Sequence, residues 1–214
     1  MRGLRQRRKG MVRDARTIAL ALEGEEVGEE FRYFDRIREH TSNNRRFIIE
    51  LLPTPADTHQ SSPDAVIERL NAYVVANALE PEIDVLWLVI DVDAWREAML
   101  ASVAQRAAQK GYRLGISNPC FELWLLLHFD AVDLEPSRWP DAPRRSQEAK
   151  RRLSQSRREH GARDTLFSAA SQAMLRAEDL LQATPPGQRW PSFPGTHVHM
   201  LLDDLRSAKL LPAE

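Results

Sequence analysis

The sequence predicts an α/β protein: a central parallel sheet of about four strands flanked by helices, with a helical annex on its C-terminal side. Three observations carry this. Apolar runs of strand length recur at residues 16–22, 47–52 and 84–90. Each is followed by a segment with helical periodicity, and helical crossovers are what parallel neighbours require. The strand–helix alternation covers 16–129 and then stops, leaving helical patterns only.

Residues 1–15 read as a basic N-terminal arm. Residues 16–22 are the first strand. A helix over 26–40 follows, with Val27, Phe31, Phe34 and Ile37 on one face. The second strand, 47–52, ends at Pro53. Residues 62–79 form a helix with Pro63 near its start and Val66, Ile67, Leu70, Tyr73 and Val74 inward. Residues 84–90 are nearly all apolar, as in a strand buried on both faces. A helix over 95–110 stops at Gly111. A short strand at 112–116 leads to Asn118-Pro119, which reads as an N-cap and first-turn proline opening a helix through His128. Beyond 130, Pro136, Pro140 and Pro143 mark a connection. Helices follow at 144–159 and 164–183, then Pro185-Pro186-Gly187, then a helix capped by Thr196 that runs to about 208. The segment 130–214 reads as an annex packed on the 16–129 domain, forming one structural unit with it.

The chain has 214 residues, 43% of them hydrophobic, enough for a substantial core. Its net charge of −1 hides strong local asymmetry. Residues 1–16 hold seven basic residues, among them Arg7, Arg8 and Arg16; residues 144–163 hold eight, among them Lys150, Arg151 and Arg152. Such runs bind phosphate backbones by releasing counterions, or are simply solvated helix faces. One cysteine excludes an internal disulfide and a Cys-rich zinc site. No apolar run is long enough for a bilayer, and the arginine-rich start has no apolar segment of a secretory signal. The expectation is a cytoplasmic protein that does not engage a membrane.

The chemistry is concentrated in the acids that follow buried strands. Glu23 follows the first strand; Asp91 and Asp93 follow the third, two residues apart and so on one side of extended backbone. Acids at the carboxyl edge of a parallel sheet stand where ligands bind in open α/β folds. Gathered there, they repel one another unless a cation lies between them. Carboxylate oxygens suit Mg2+ or Mn2+. Such an ion polarises a phosphoryl oxygen, and Glu23 would be a further ligand or the general base. The plainer alternative is that these acids are solvated turn residues or caps.

Four segments carry a family resemblance. They are the arginine-rich start; Glu23-Gly24-Glu25 leading to Glu29/Glu30 and Tyr33-Phe34; the thirteen residues from Ser117-Asn118-Pro119-Cys120 to His128-Phe129; and Pro194-Gly195-Thr196 before the last helix. With Asp91 and Asp93, these resemble the RloB-like proteins of abortive-infection and restriction-linked loci and, more broadly, the Toprim pattern. The spacing after Glu23-Gly24-Glu25 departs from the familiar one, leaving Glu29 and Glu30 as rivals for one position. The resemblance implies a Toprim-like domain, a site of Glu23, Glu25, Asp91 and Asp93 for Mg2+ or Mn2+, and phosphodiester cleavage of DNA or RNA in phage defence. It also implies an AAA/ABC-type ATPase partner, and it leaves room for a homo-oligomer.

Glu122 lies at a helix start, where a carboxylate is favoured by unpaired N–H groups; it would otherwise support the metal cluster. Asn118 and Thr196 are caps or contacts to a bound nucleic acid. Cys120 reads as a buried apolar cysteine, since no histidine is placed to activate it. His197 and His199, two apart on a helix, do not share a face. No phosphate-loop or nucleophile-elbow motif is present. The expected function is therefore a metal-dependent nuclease with Glu23, Asp91, Asp93 and Glu122 as catalytic residues. The rival is a non-catalytic module that binds nucleic acid or a partner.

Overall fold

A computed structural model describes residues 15–58, 60–92, 95–129, 135–160 and 169–211. The elements run β1 (Arg16–Glu25), α1 (Glu29–His40), β2 (Phe47–Thr54), α2 (Pro63–Asn77), β3 (Val85–Asp91), α3 (Glu97–Gln109), β4 (Arg113–Asn118) and α4 (Glu122–Leu126). Two 3-10 turns, Pro136–Arg138 and Ala142–Arg144, lead to α5 (Arg145–His160), α6 (Ala170–Leu181), β5 (Gly195–Thr196) and α7 (Val198–Ser207). Residues 1–14 of the expected basic arm at 1–15, with Arg7 and Arg8, lie outside the described residues, as do Asp93 and residues 164–168 of the expected 164–183 helix.

The sheet order is β2-β1-β3-β4-β5. The first four strands are parallel, as the alternation predicts; β5 is a fifth, antiparallel strand contributed by the annex. Side chains alternate between two cores, as extended backbone requires. Ile18, Leu20, Leu22, Trp87 and Val89 face a core shared with α1, α4, α5, α6 and α7. Ala19, Ala21, Leu86, Leu88 and Ile90 face a second core shared with α2 and α3. The annex thus completes the layer that α1 begins. Pro53 lies within β2 instead of ending it, which an edge strand tolerates because no inner ladder bond is lost.

Several boundaries differ from expectation. β1 continues three residues past 22 to Glu25, and β3 includes Asp91, so Glu23 and Asp91 are strand residues and not turn residues. The first helix begins at Glu29, and Val27 is 70% exposed in the preceding turn, outside the apolar face. Asn118 does not cap a helix. It ends β4 opposite Gly195, the Asn118–Pro119 peptide is cis, and α4 opens only at Glu122 with no side-chain cap. Thr196 sits in β5, one residue before the helix boundary at His197. Its hydroxyl accepts from Val198 N–H (3.2 Å) and bonds the Ser117 hydroxyl (2.9 Å). Gly195 permits that close pairing, since a Cβ there would lie 2.6 Å from the Ser192 carbonyl oxygen.

His128 is buried at the end of the segment that follows β4. Its Nδ1 lies 3.0 Å from the Trp124 carbonyl, which can only accept, so Nδ1 carries the proton and Nε2 faces the Tyr33 hydroxyl at 3.4 Å. Burial pushes His128 down to about 4, and His197 likewise. Unfolded histidine binds protons that the native one refuses. The stability contributed by neutral His128 is therefore full above pH 6.5 and is lost as pH falls towards 4, by about 3 kcal/mol. Urea denaturation at pH 7 and pH 4 should show this fall, and His128→Gln, which never charges, should remove the His128 share of it and leave that of His197.

Candidate functional site

Strand order brings the acids together. β1 and β3 are parallel neighbours, so their carboxyl ends lie side by side. Glu23 Oε2 accepts the Asp91 backbone N–H at 2.9 Å, and Oε1 accepts the Trp95 indole N–H at 3.0 Å. Glu23 is thus held by the strand end that carries Asp91 and by the turn after it.

A bulge shapes this edge. Between Ala21 and Glu25 β1 takes four residue steps, while β2 takes two from Leu52 to Thr54. The extra residues, around Glu23-Gly24, break the ladder and re-aim the side chains. The exposed carbonyls are satisfied by Arg69 on α2 and by Thr54. Arg69 Nη2 donates to Leu22 O at 2.6 Å and to Thr54 Oγ1 at 3.1 Å, and Nε donates to Leu52 O at 3.1 Å. The Thr54 hydroxyl donates to Glu23 O at 2.7 Å.

The Glu29/Glu30 ambiguity separates cleanly in space. Glu30, 8% exposed, turns inward, and its Oε2 accepts Gly24 N–H at 2.6 Å. Burial above all, opposed by the Gly24 N–H and Arg69 and aided by nearby Glu23 and Glu122, pushes its carboxyl up to about 8. Glu29 instead takes both ends of the Arg157 guanidinium at 2.7 and 2.8 Å, which holds its carboxyl below the usual range. Glu122, on α4, lies 3.9 Å from Lys150 Nζ. It also faces Cys120, whose thiol burial pushes up, with Asp91 and Glu122 adding to the effect. That is the inert buried cysteine expected.

The described structure therefore groups Glu23, Glu30, Asp91 and Glu122 at one sheet edge. Glu25 ends β1 as an exposed residue. Among the described residues no three His, Cys, Asp or Glu side chains are arranged to hold a cation. Asp93 of the expected set lies outside them. The donors that are described, Glu23 and Asp91, have the hard-oxygen chemistry that Mg2+ and Mn2+ take.

The basic residues sort differently. Lys150 and Arg157 of α5 face the acidic edge, and Lys150 is 61% exposed. Arg151 is exposed and pairs with Glu148. Arg152, 15% exposed, bonds Glu148 and the Arg138 carbonyl and lies 4.1 Å over the Trp139 ring, so much of it is taken up by packing. Arg16 opens β1, about 20 Å along the strand from Glu23 at the usual rise per residue. Asn118 donates to Pro191 O at 3.0 Å, and Thr196 is wholly buried. His197 is half-buried and His199 is bonded through Nδ1 to Thr196 O at 3.1 Å.

Arg69 and Trp95 did not stand out in the sequence. Glu30 was one of two rivals; Arg69 and Trp95 have no motif, because a carbonyl cap and an indole donor are set by the bulge and not by local pattern. Gly24 is the signal that could have pointed to Glu30: a Cβ there would lie 2.6 Å from Glu30 Oε2. Gly24→Ala should displace the carboxyl from its N–H partner and destabilise the fold by about 1–3 kcal/mol, read by urea denaturation.

No curated protein and no solved structure matches the chain. A family model described as RloB-like protein matches residues 18–205, a span from the apolar run of β1 to the last helix that includes every acid at this edge. The Glu23-Gly24-Glu25 bulge, the buried Ser117–Phe129 run and the Pro194-Gly195-Thr196 closure of the sheet all fall within it: the chain belongs to the RloB-like family.

Proposed function

We propose that this protein is a divalent-metal-dependent nuclease of bacterial phage defence. The observation that carries the reading is the contact of the Glu23 carboxylate with the end of β3, which sets Glu23 and Asp91 side by side with a basic helix across from them. Asp91 and Asp93 would hold Mg2+ or Mn2+ with Glu23 or Glu25. Such an ion, when bound, supplies positive charge to a phosphoryl oxygen. Glu23 accepts a proton from the attacking water as general base, or completes the ligand set. Glu122 orients the edge from α4. Lys150 and Arg151 on the exposed side of α5 hold the phosphate backbone of DNA or RNA, and Arg152 fixes the helix that carries them. A partner ATPase of the AAA/ABC type, as the family resemblance implies, would govern when cleavage occurs.

A second reading is favoured by a specific observation: the acids are already partnered within the protein. Glu23 holds two N–H donors, Glu29 holds Arg157, Glu122 faces Lys150, and Glu30 is held largely neutral at pH 7. On that reading the edge is structural, and the protein binds nucleic acid or a partner without cutting it.

The two readings part on measurement. Cleavage of labelled DNA and RNA with Mg2+ or Mn2+ should fall on the order of 10²–10⁴-fold in Glu23→Gln, and Asp91→Ala should abolish the metal dependence. Equal activity in wild type and Asp91→Ala would end the nuclease assignment, and no Mn2+ uptake by calorimetry would favour the second reading. Lys150→Ala should weaken nucleic-acid binding across all sequences and lower the slope of log affinity against log salt by about one.

A further inference from the structure

Trp95 lies four residues past Asp91, in the turn between β3 and α3. Its ring is half-buried and packs against the second core, the one built from Ala19, Leu86, Leu88 and the inner faces of α2 and α3. An indole has one polar atom, and that atom only donates. Here it donates to Glu23 Oε1 at 3.0 Å, while Asp91 N–H takes Oε2. The two oxygens of one carboxylate are therefore held by two donors, one at the end of β3 and one in the segment that follows it. Hydrogen bonds to an ionised carboxylate are about twice as strong as neutral ones. Two of them on separate oxygens set both the position and the plane of the group. A phenylalanine at 95 would keep the packing and lose the donor.

We propose that Trp95 is a positioning residue of the acidic edge: its indole N–H fixes the Glu23 carboxylate against the end of β3. This rests on the reading of Glu23 as a site residue. It adds that the geometry of the site depends on an aromatic side chain that would not itself contact metal or substrate. Partners that orient a ligand in this way are worth about 10- to 100-fold in metal affinity.

The test uses the full chain, labelled with 15N. Its five tryptophans give five indole N–H signals. Trp95→Phe removes one and thereby assigns it, and the other four report that the variant is folded. In Glu23→Ala the Trp95 signal should move upfield more than any other indole. This arm stands even if Trp95→Phe fails to fold, since one signal of five then moves alone. Calorimetry with Mn2+ should show Trp95→Phe binding about 10- to 100-fold more weakly than wild type. A Trp95 indole signal indifferent to Glu23→Ala overturns the proposal, as does unchanged Mn2+ affinity in folded Trp95→Phe. If wild type takes up no Mn2+ while the indole signal still follows Glu23, the positioning role holds and the nuclease reading is the one that fails.

Discussion

Like charges crowded at the edge of a sheet set the conditions that the rest of this molecule meets. Two carboxylates about 5 Å apart repel by about 3 kcal/mol at an effective dielectric constant near 20. Glu23, Glu30, Asp91 and Glu122 converge where β1 and β3 end and α4 begins. Three of them are relieved by different devices. Glu30 is kept protonated by burial, so it adds a hydrogen-bonding group without a full charge. Glu23 receives an amide and an indole N–H. Glu122 has Lys150 across from it. Just outside, Glu29 is tied to Arg157. Acids arranged in this way are held in place by contacts within the chain itself.

The bulge in β1 and the annex are two halves of this solution. The bulge lets Gly24 present its N–H to Glu30, and it leaves strand carbonyls exposed. Arg69 covers those carbonyls from α2 and also places a positive charge beside Glu30. From the other layer, α5 supplies Lys150 and Arg157. Its own position is fixed by a stack in which Arg152 lies over Trp139, Trp139 meets Phe193 edge-on, and Arg145 lies 3.8 Å over Phe193. Aromatic and cationic side chains of the annex thus hold the helix whose charges balance the edge.

Much of this was legible in the residues, and the limits are physical. The third strand was the plainest because a strand buried on both faces must be apolar throughout, as residues 85–90 are. The adjacency of β1 and β3 carries Glu23 to Asp91, and acids after two good strands pointed to that edge. What stayed hidden depends on contacts far apart in sequence. A two-residue strand such as Gly195–Thr196 has no periodicity to detect, and its partner Ser117–Asn118 lies nearly eighty positions earlier. Asn118-Pro119 has the composition of a helix start, but the backbone of Asn118 is engaged by β5, so the helix opens later. Val27 fits the apolar period of α1 and is nonetheless exposed, because the turn after the bulge delays the helix to Glu29.

The pairing of β4 with β5 also has a meaning in time. During synthesis the four parallel strands and α1 to α4 are made before α5, α6, β5 and α7. Until then β4 is an open edge, and the sheet face bearing Ile18, Leu20 and Leu22 lacks most of its cover. An uncovered apolar face and an unpaired strand edge are the features by which partly made chains aggregate. Closure also waits on contacts of long sequence separation, which form slowly. The last thirty residues described thus act as a late fastener. The acidic edge has its own strands early, but its opposing charges on α5 arrive only when the annex does, so site and fold are completed in the same step.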